Sequence, residues 1–193
     1  DNVFGYVRSD VGVIKEDINK PVNIGWDYTF KSVPLNAGQF ADEKTSKAQV
    51  YLHHTAGSSS ASNVVNGWNK DSLGKVGTSV VIAGSGASND KDGEIIQCFD
   101  PHKWASHLGL ASKHFPSGIP YKNLDKNSLA IEICNWGQLT KGYYTKNGAK
   151  VKADADKYYN YLGGIVNKED VCDLGFDYKG YRYFHKYTDA QIE

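Results

Sequence analysis

His53 and His54 stand side by side at the end of a short β-forming run, Lys47-Ala-Gln-Val-Tyr-Leu52, just before a glycine and serine loop. Alternate residues of a strand face opposite sides, so only one of the pair can face a given cleft. That one could be a metal ligand or a base; it could equally donate to a neighbouring carbonyl. His107 lies in Trp104-Ala-Ser-His107-Leu-Gly109, where a histidine beside glycine could orient a polar substrate or merely occupy a surface loop. Glu132 sits within the apolar run Asn127-Ser-Leu-Ala-Ile-Glu-Ile-Cys134. Burying a carboxylate there is costly unless it is paired, metal-bound or open to a cleft. In a cleft its pKa would rise, which suits a general base; the alternative is a salt bridge to a lysine or arginine.

Other motifs fail. Gly84-Ser-Gly-Ala-Ser-Asn89 has two of the three glycines of a dinucleotide loop and precedes no helix. Ser85 is not in a Gly-x-Ser-x-Gly elbow. Cys98, Cys134 and Cys172 lack Cys-x-x-Cys spacing, so a thiolate zinc knot is not expected. Cys134 could be a nucleophile, but a buried strand cysteine is usually inert.

The elements that must position these residues are legible in part. Strands are expected at 47–52, 77–83, 94–99 and 129–134, with the second and third closed into a hairpin at Asp92-Gly93. Leu129, Ile131 and Ile133 fall on one face of the fourth strand, and Ala130, Glu132 and Cys134 on the other. This phase predicts His53 and Glu132 facing one cleft, with His107 at its rim. A short helix is expected over Asn63–Lys70 and another near Lys168–Leu174, with two short strands between Gly142 and Gly180. Thr188-Asp-Ala-Gln191 fits a capping box that opens a helix. The fold expected is α/β, a mixed central sheet flanked by helices. Residues 1–45 read as an irregular lead-in wrapping a domain over 46–193.

The chain has 193 residues, enough for one domain with a sizeable core. Lys plus Arg and Asp plus Glu are each 22, a poor balance for a polyanion binder, so no nucleic-acid partner is expected. No run approaches the ~18 apolar residues of a membrane span. Three cysteines exclude a dense disulfide scaffold. There are 13 tyrosines, clustered late, which suit either packing under loops or a surface for sugars and peptides. With no methionine and a helix opening at Thr188, both ends are expected to be internal to a longer protein.

The order strand–His–His–Thr, helix, hairpin, His–Leu–Gly loop and Glu strand resembles the zinc-dependent N-acetylmuramoyl-L-alanine amidases. That group includes phage lysozyme-type amidases, bacterial anhydro-muropeptide amidases and peptidoglycan recognition proteins. Tyr51-Leu-His-His-Thr-Ala-Gly57 resembles the family's first zinc-ligand strand, and Lys91-Asp-Gly-Glu-Ile-Ile-Gln97 its Asp-Gly hairpin. Trp104-Ala-Ser-His107-Leu-Gly109 is similar to its cleft loop, and Ser128-Leu-Ala-Ile-Glu132-Ile to its glutamate strand. Tyr187-Thr-Asp-Ala-Gln-Ile192 is similar to the start of its long helix. The strong coverage is Lys47 to Gly137, about half the chain.

The resemblance implies a peptidoglycan hydrolase cutting the bond between N-acetylmuramic acid and L-alanine, wall-facing or phage-encoded as an endolysin. It implies Zn2+ as cofactor, His53 as a metal ligand, Glu132 as catalytic base and His54 as structural. His107, Trp104, Thr78 and Asn135 are implied at the substrate; Thr78 stands where the phage branch has a tyrosine. The family's other two zinc ligands follow the long helix, and His185, before it, is a poor substitute. Residues 1–193 alone are therefore expected to bind zinc weakly and cleave little, with the remaining ligands supplied by a continuation or a second chain. The alternatives are a metal-free muropeptide-binding module, whose cleft would use Trp104, Trp136 and tyrosines, and a virion structural component with the same fold.

Overall fold

The structure is a computed structural model, and it describes residues 30–57, 60–72, 74–109 and 122–193. Most of the lead-in, residues 1–29, and Ser58 and Ser59 of the serine loop lie outside the described residues.

The alternating run Gln49–His54 forms β2, and Ser128–Ile133 forms β5, its parallel partner. Val80–Ile82 (β3) pairs parallel with β5 on its other side. Ile95–Gln97 (β4) returns antiparallel to β3, closing the expected hairpin. Lys31–Ser32 (β1) adds to the outer edge of β4, giving a five-stranded mixed sheet in the order β1-β4-β3-β5-β2. The described part of the lead-in is thus built into the sheet, and Leu35 is buried in its core.

Helix α1, Ala61–Asn69, covers one face. Ser60 caps it, accepting from the Asn63 amide, and Ala61 and Val65 are fully buried. They pack with Val81, Ala83, Ile96, Cys98 and Cys134. The opposite face carries Val50 and Leu52, 60% and 68% exposed on the edge strand β2.

The remainder is richer in strands than expected. Gln138–Lys141 (β6), Tyr158–Tyr159 (β9), Ile165–Val166 (β10), Val171–Tyr178 (β11) and Tyr181–His185 (β12) form a second sheet, antiparallel throughout. Its order is β10-β9-β6-β12-β11. Tyr143–Lys146 (β7) and Ala149–Lys152 (β8) form a separate hairpin. The helix expected near Lys168–Leu174 is corrected. A single 3-10 turn over Lys168–Asp170 leads straight into β11, because Val171 and Cys172 pair with His185 and Phe184. Lys122–Lys126 (α2) precedes β5.

Asp189–Ile192 (α3) opens with the expected capping box between Thr188 and Gln191. Gln191 Nε2 also donates to the carbonyls of Ala83 and Cys134, at 3.1 and 2.9 Å, tying α3 to the ends of β3 and β5. The hairpin turn must be glycine here. A Cβ on Gly93 would lie 2.3 Å from the Ala190 carbonyl oxygen, and its φ is +74°. Among the described residues no helix is long and apolar enough to cross a membrane.

Candidate functional site

Register decides which side chains meet. His53 is the direct partner of Glu132 across β2 and β5, and Val81 is the partner of Glu132 across β3 and β5. Residues paired across neighbouring strands, roughly 4.8 Å apart, project from the same face. His53 and Glu132 therefore share the face that α1 covers, as the strand phase predicts. His54 points the other way and packs on Gly137, where a Cβ would come within 2.9 Å of its ring.

Glu132 has only one strong influence on its proton. Burial raises its pKa from the ordinary 4.5 to about 7. Of the two readings left open by the sequence, the salt bridge is not the one found among the described residues. Next to Glu132 lies Tyr187, whose phenol is pushed up by burial and by the Glu132 charge. In the sequence Tyr187 belongs to the late tyrosine cluster and to the motif that opens α3.

His107 is brought over the same face by its loop. The loop is pinned by backbone pairing of Trp104 with Ala41 and of Ser106 with Val76. One Asp125 oxygen accepts from the backbone amides of His107 and Leu108, at 3.0 and 3.1 Å. The His107 ring spans two partners: His53 Nε2 lies 3.0 Å from its Nδ1, and Ser128 Oγ lies 2.8 Å from its Nε2. The proton positions follow from donor counting. Ser128 has one hydroxyl proton and gives it to the Leu124 carbonyl at 2.6 Å, so its oxygen accepts from His107 Nε2–H. Burial, chiefly, pushes the His107 pKa down to about 4, so the ring is neutral and its Nδ1 accepts. His53 must then donate from Nε2, which leaves Nδ1 as its free lone pair. Long-range nitrogen–proton NMR at pH 7 is expected to show both rings as Nε2–H tautomers. An Nδ1–H signal from His107 would break this chain of bonds.

The other residues expected at the substrate are committed elsewhere. Thr78 is buried and donates to the Val80 carbonyl at 2.7 Å. Asn135 is also buried. Its amide donates to the carbonyls of His185 and Lys186, and its oxygen accepts from the Gly137 amide. It fastens the end of β5 to the end of β12. Trp104 donates from Nε1 to Glu43 at 3.1 Å, with the Lys126 ammonium over its ring at 5.2 Å. The hydrogen-bonding groups of all three side chains are thus engaged within the chain. Cys134 is buried, with its thiol pushed by burial up to about 12, which is the inert state expected of a buried strand cysteine.

The residues do not make a zinc site by themselves. His53 offers one nitrogen, and catalytic zinc takes three protein ligands. No group of three His, Cys, Asp or Glu side chains that could hold a metal occurs among the described residues. His185 has a buried Nδ1 with no hydrogen-bond partner, but it stands alone on β12. What the arrangement can do unaided is hold a proton: a half-buried carboxyl whose pKa is raised to about 7, beside an imidazole fixed in one tautomer. No family model matches this chain, no curated protein matches it and no solved structure matches it.

Proposed function

We propose that this chain is the substrate-facing part of a peptidoglycan amidase, with an amidase-like arrangement of its first sheet. It would cleave the amide joining the lactyl group of N-acetylmuramic acid to L-alanine in a bacterial wall, from outside the cell or as a phage lysin. One observation carries the reading most: Glu132 is half-buried, with no cationic partner among the described residues, on the same sheet face as His53, and its pKa is raised to about 7. A general base works best when its pKa lies near the working pH. Glu132 takes a proton from the attacking water as the new C–O bond forms. It returns that proton to the leaving nitrogen as the C–N bond breaks. His107 holds His53 in orientation through the 3.0 Å hydrogen bond. The zinc implied by the resemblance would bind His53 Nδ1, and its other ligands would come from an adjoining segment or a second chain.

A second reading is a muropeptide-binding module that does not cleave, whose cleft would use Trp104, Trp136 and tyrosines; the Trp136 ring meets Tyr161, with centroids 6.2 Å apart. Purified muropeptide separates the two. Release of the L-alanine amine is followed with zinc added and then chelated, for residues 1–193 and for a chain supplied with the missing ligands. The amidase reading expects weak release from the first and strong, chelator-sensitive release from the second, lost in His53→Ala. Muropeptide that is bound but intact under every condition establishes the module instead.

A further inference from the structure

The β7–β8 hairpin and the loop after β9 enclose an open cleft of about 460 Å³. Its walls are Tyr144, Thr145, Lys146 and Asn147 on one side and Tyr161 and Leu162 on the other. We propose that this cleft binds a saccharide, a short run of N-acetylated hexosamine from the glycan strand. The choice of N-acetylated sugar rests on the amidase reading. The choice of saccharide rests on the cleft.

The argument begins with rigidity. The loop is set by Asn160, buried at 5% exposure, whose Oδ1 accepts from the amides of Leu162 and Gly164 at 3.0 and 2.9 Å. Gly163 lies flat on the Tyr144 ring: a Cβ there would be 2.9 Å from the ring carbons. Tyr144 is also backed by Tyr159, with ring centroids 5.8 Å apart. The opposite wall is closed by the Asn147-Gly148 turn, with φ of +51° and +77° as a tight hairpin requires. Both walls are thus pre-formed, which lowers the cost of ordering on binding.

The chemistry of the lining then selects the ligand class. Tyrosine offers an apolar face and a polar edge. A pyranose presents the complement, a flat face of C–H bonds ringed by hydroxyls. Thr145, Lys146 and Asn147 are exposed around the rings as hydroxyl, ammonium and amide. A single ammonium is too little charge for a polyphosphate. The volume falls in the usual range for small-molecule sites, roughly 300–1,000 Å³.

The location ties the cleft to the candidate site. Tyr161 is 50% exposed, yet its hydroxyl comes within 4.0 Å of where a Cβ on Gly57 would be, in the loop that leaves β2 after His53. Its ring also meets Trp136, just past β5, with centroids 6.2 Å apart. Tyr161 therefore stands between the ends of the two strands that carry His53 and Glu132 and the cleft beyond.

The test uses chitotriose, which has N-acetylated sugars but neither stem peptide nor scissile amide, so its result is independent of catalysis. Titration into the 15N-labelled chain is expected to give saturable shifts at 144–148 and 161–163. Tyr161→Ala should weaken binding about fivefold to tenfold, and Tyr161→Trp should keep it. Tyr161 is half exposed, so the amide spectrum should stay folded; Lys146→Ala serves as a second, surface variant and should weaken binding less. Shifts confined to other residues, or binding unchanged in Tyr161→Ala, overturn the proposal. So does a free stem tetrapeptide shifting the cleft residues while chitotriose does not. Loss of amidase activity in the separate muropeptide assay, with chitotriose binding intact, would overturn the amidase reading and leave the cleft standing.

Discussion

In a chain supplied with the remaining zinc ligands, Glu132→Gln is expected to lower muropeptide cleavage roughly a hundredfold to ten-thousandfold, the usual worth of a positioned proton acceptor. Glutamine keeps the shape and cannot take a proton. In the metal-free chain the Glu132 carboxyl should titrate at about 7 by carbon NMR, and that step should be absent from the variant. Stability should follow the same proton. The folded carboxyl binds its proton more tightly than the unfolded one, whose pKa is near the ordinary 4.5. Stability is therefore full below about 4.5 and falls as pH rises through 7, because the ionised form is buried. The glutamine variant has no such loss. Denaturant unfolding at pH 8 should find it at least as stable as the parent. A variant that is both inactive and less stable at pH 8 would mean that Glu132 holds the sheet together and is not the base.

The largest loss of stability is expected at Asp90, in the turn between β3 and β4. Its side chain is sealed from solvent and gathers three elements. It accepts from Ser60 Oγ at 2.8 Å and from the Ser62 amide at 2.9 Å, at the N-terminus of α1, and from the Ser62 hydroxyl. Lys31 Nζ of β1 reaches it at 2.9 Å. Burial alone would raise the Asp90 pKa; the hydrogen bonds from Ser62, Lys31 and Ser60 outweigh it and hold the carboxyl at about 2. A carboxylate at a helix N-terminus is favourable, and removing Asp90 takes a charged acceptor from Ser60 and Ser62, while the partly exposed Lys31 keeps Glu94 and the Asn89 carbonyl. Asp90→Ala should cost about 2–3 kcal/mol in denaturant unfolding at pH 7, the worth of buried hydrogen bonds to a charged acceptor. The stabilisation is present above about pH 4, the unfolded value, and is lost as pH falls towards 2. The gap between Asp90→Ala and the parent should therefore narrow below pH 4. A cost under about 1 kcal/mol, typical of surface pairs, would show the network to be solvated.

Periodicity along the chain was enough to place four of the five strands of the first sheet, the Asp92-Gly93 hairpin and the helix after the serine loop; β1 lies in the stretch that reads as an irregular lead-in. Each is a local pattern of apolar residues and turn chemistry, read within a few residues of itself. The same period of two put Glu132 opposite Ile131 and Ile133, which fixed its face before any partner was known. The second sheet was not legible in this way. Its strands are short and polar on one side, and they pair across the sequence, β6 with both β9 and β12. Val171 and Cys172 could follow a helical turn or a strand until His185 and Phe184 lay beside them. Only tertiary structure could set the register that makes His53 and Glu132 neighbours. A slip of one residue would have put them on opposite faces. Tertiary structure also determined which histidine nitrogen is free, since that depends on Ser128, 21 residues from His107. It sent Thr78 and Asn135 inward to backbone partners and brought Tyr187 to Glu132. Residue type and spacing determine what chemistry a side chain can offer; burial, register and the hydrogen bonds already spent determine which of it is left to use.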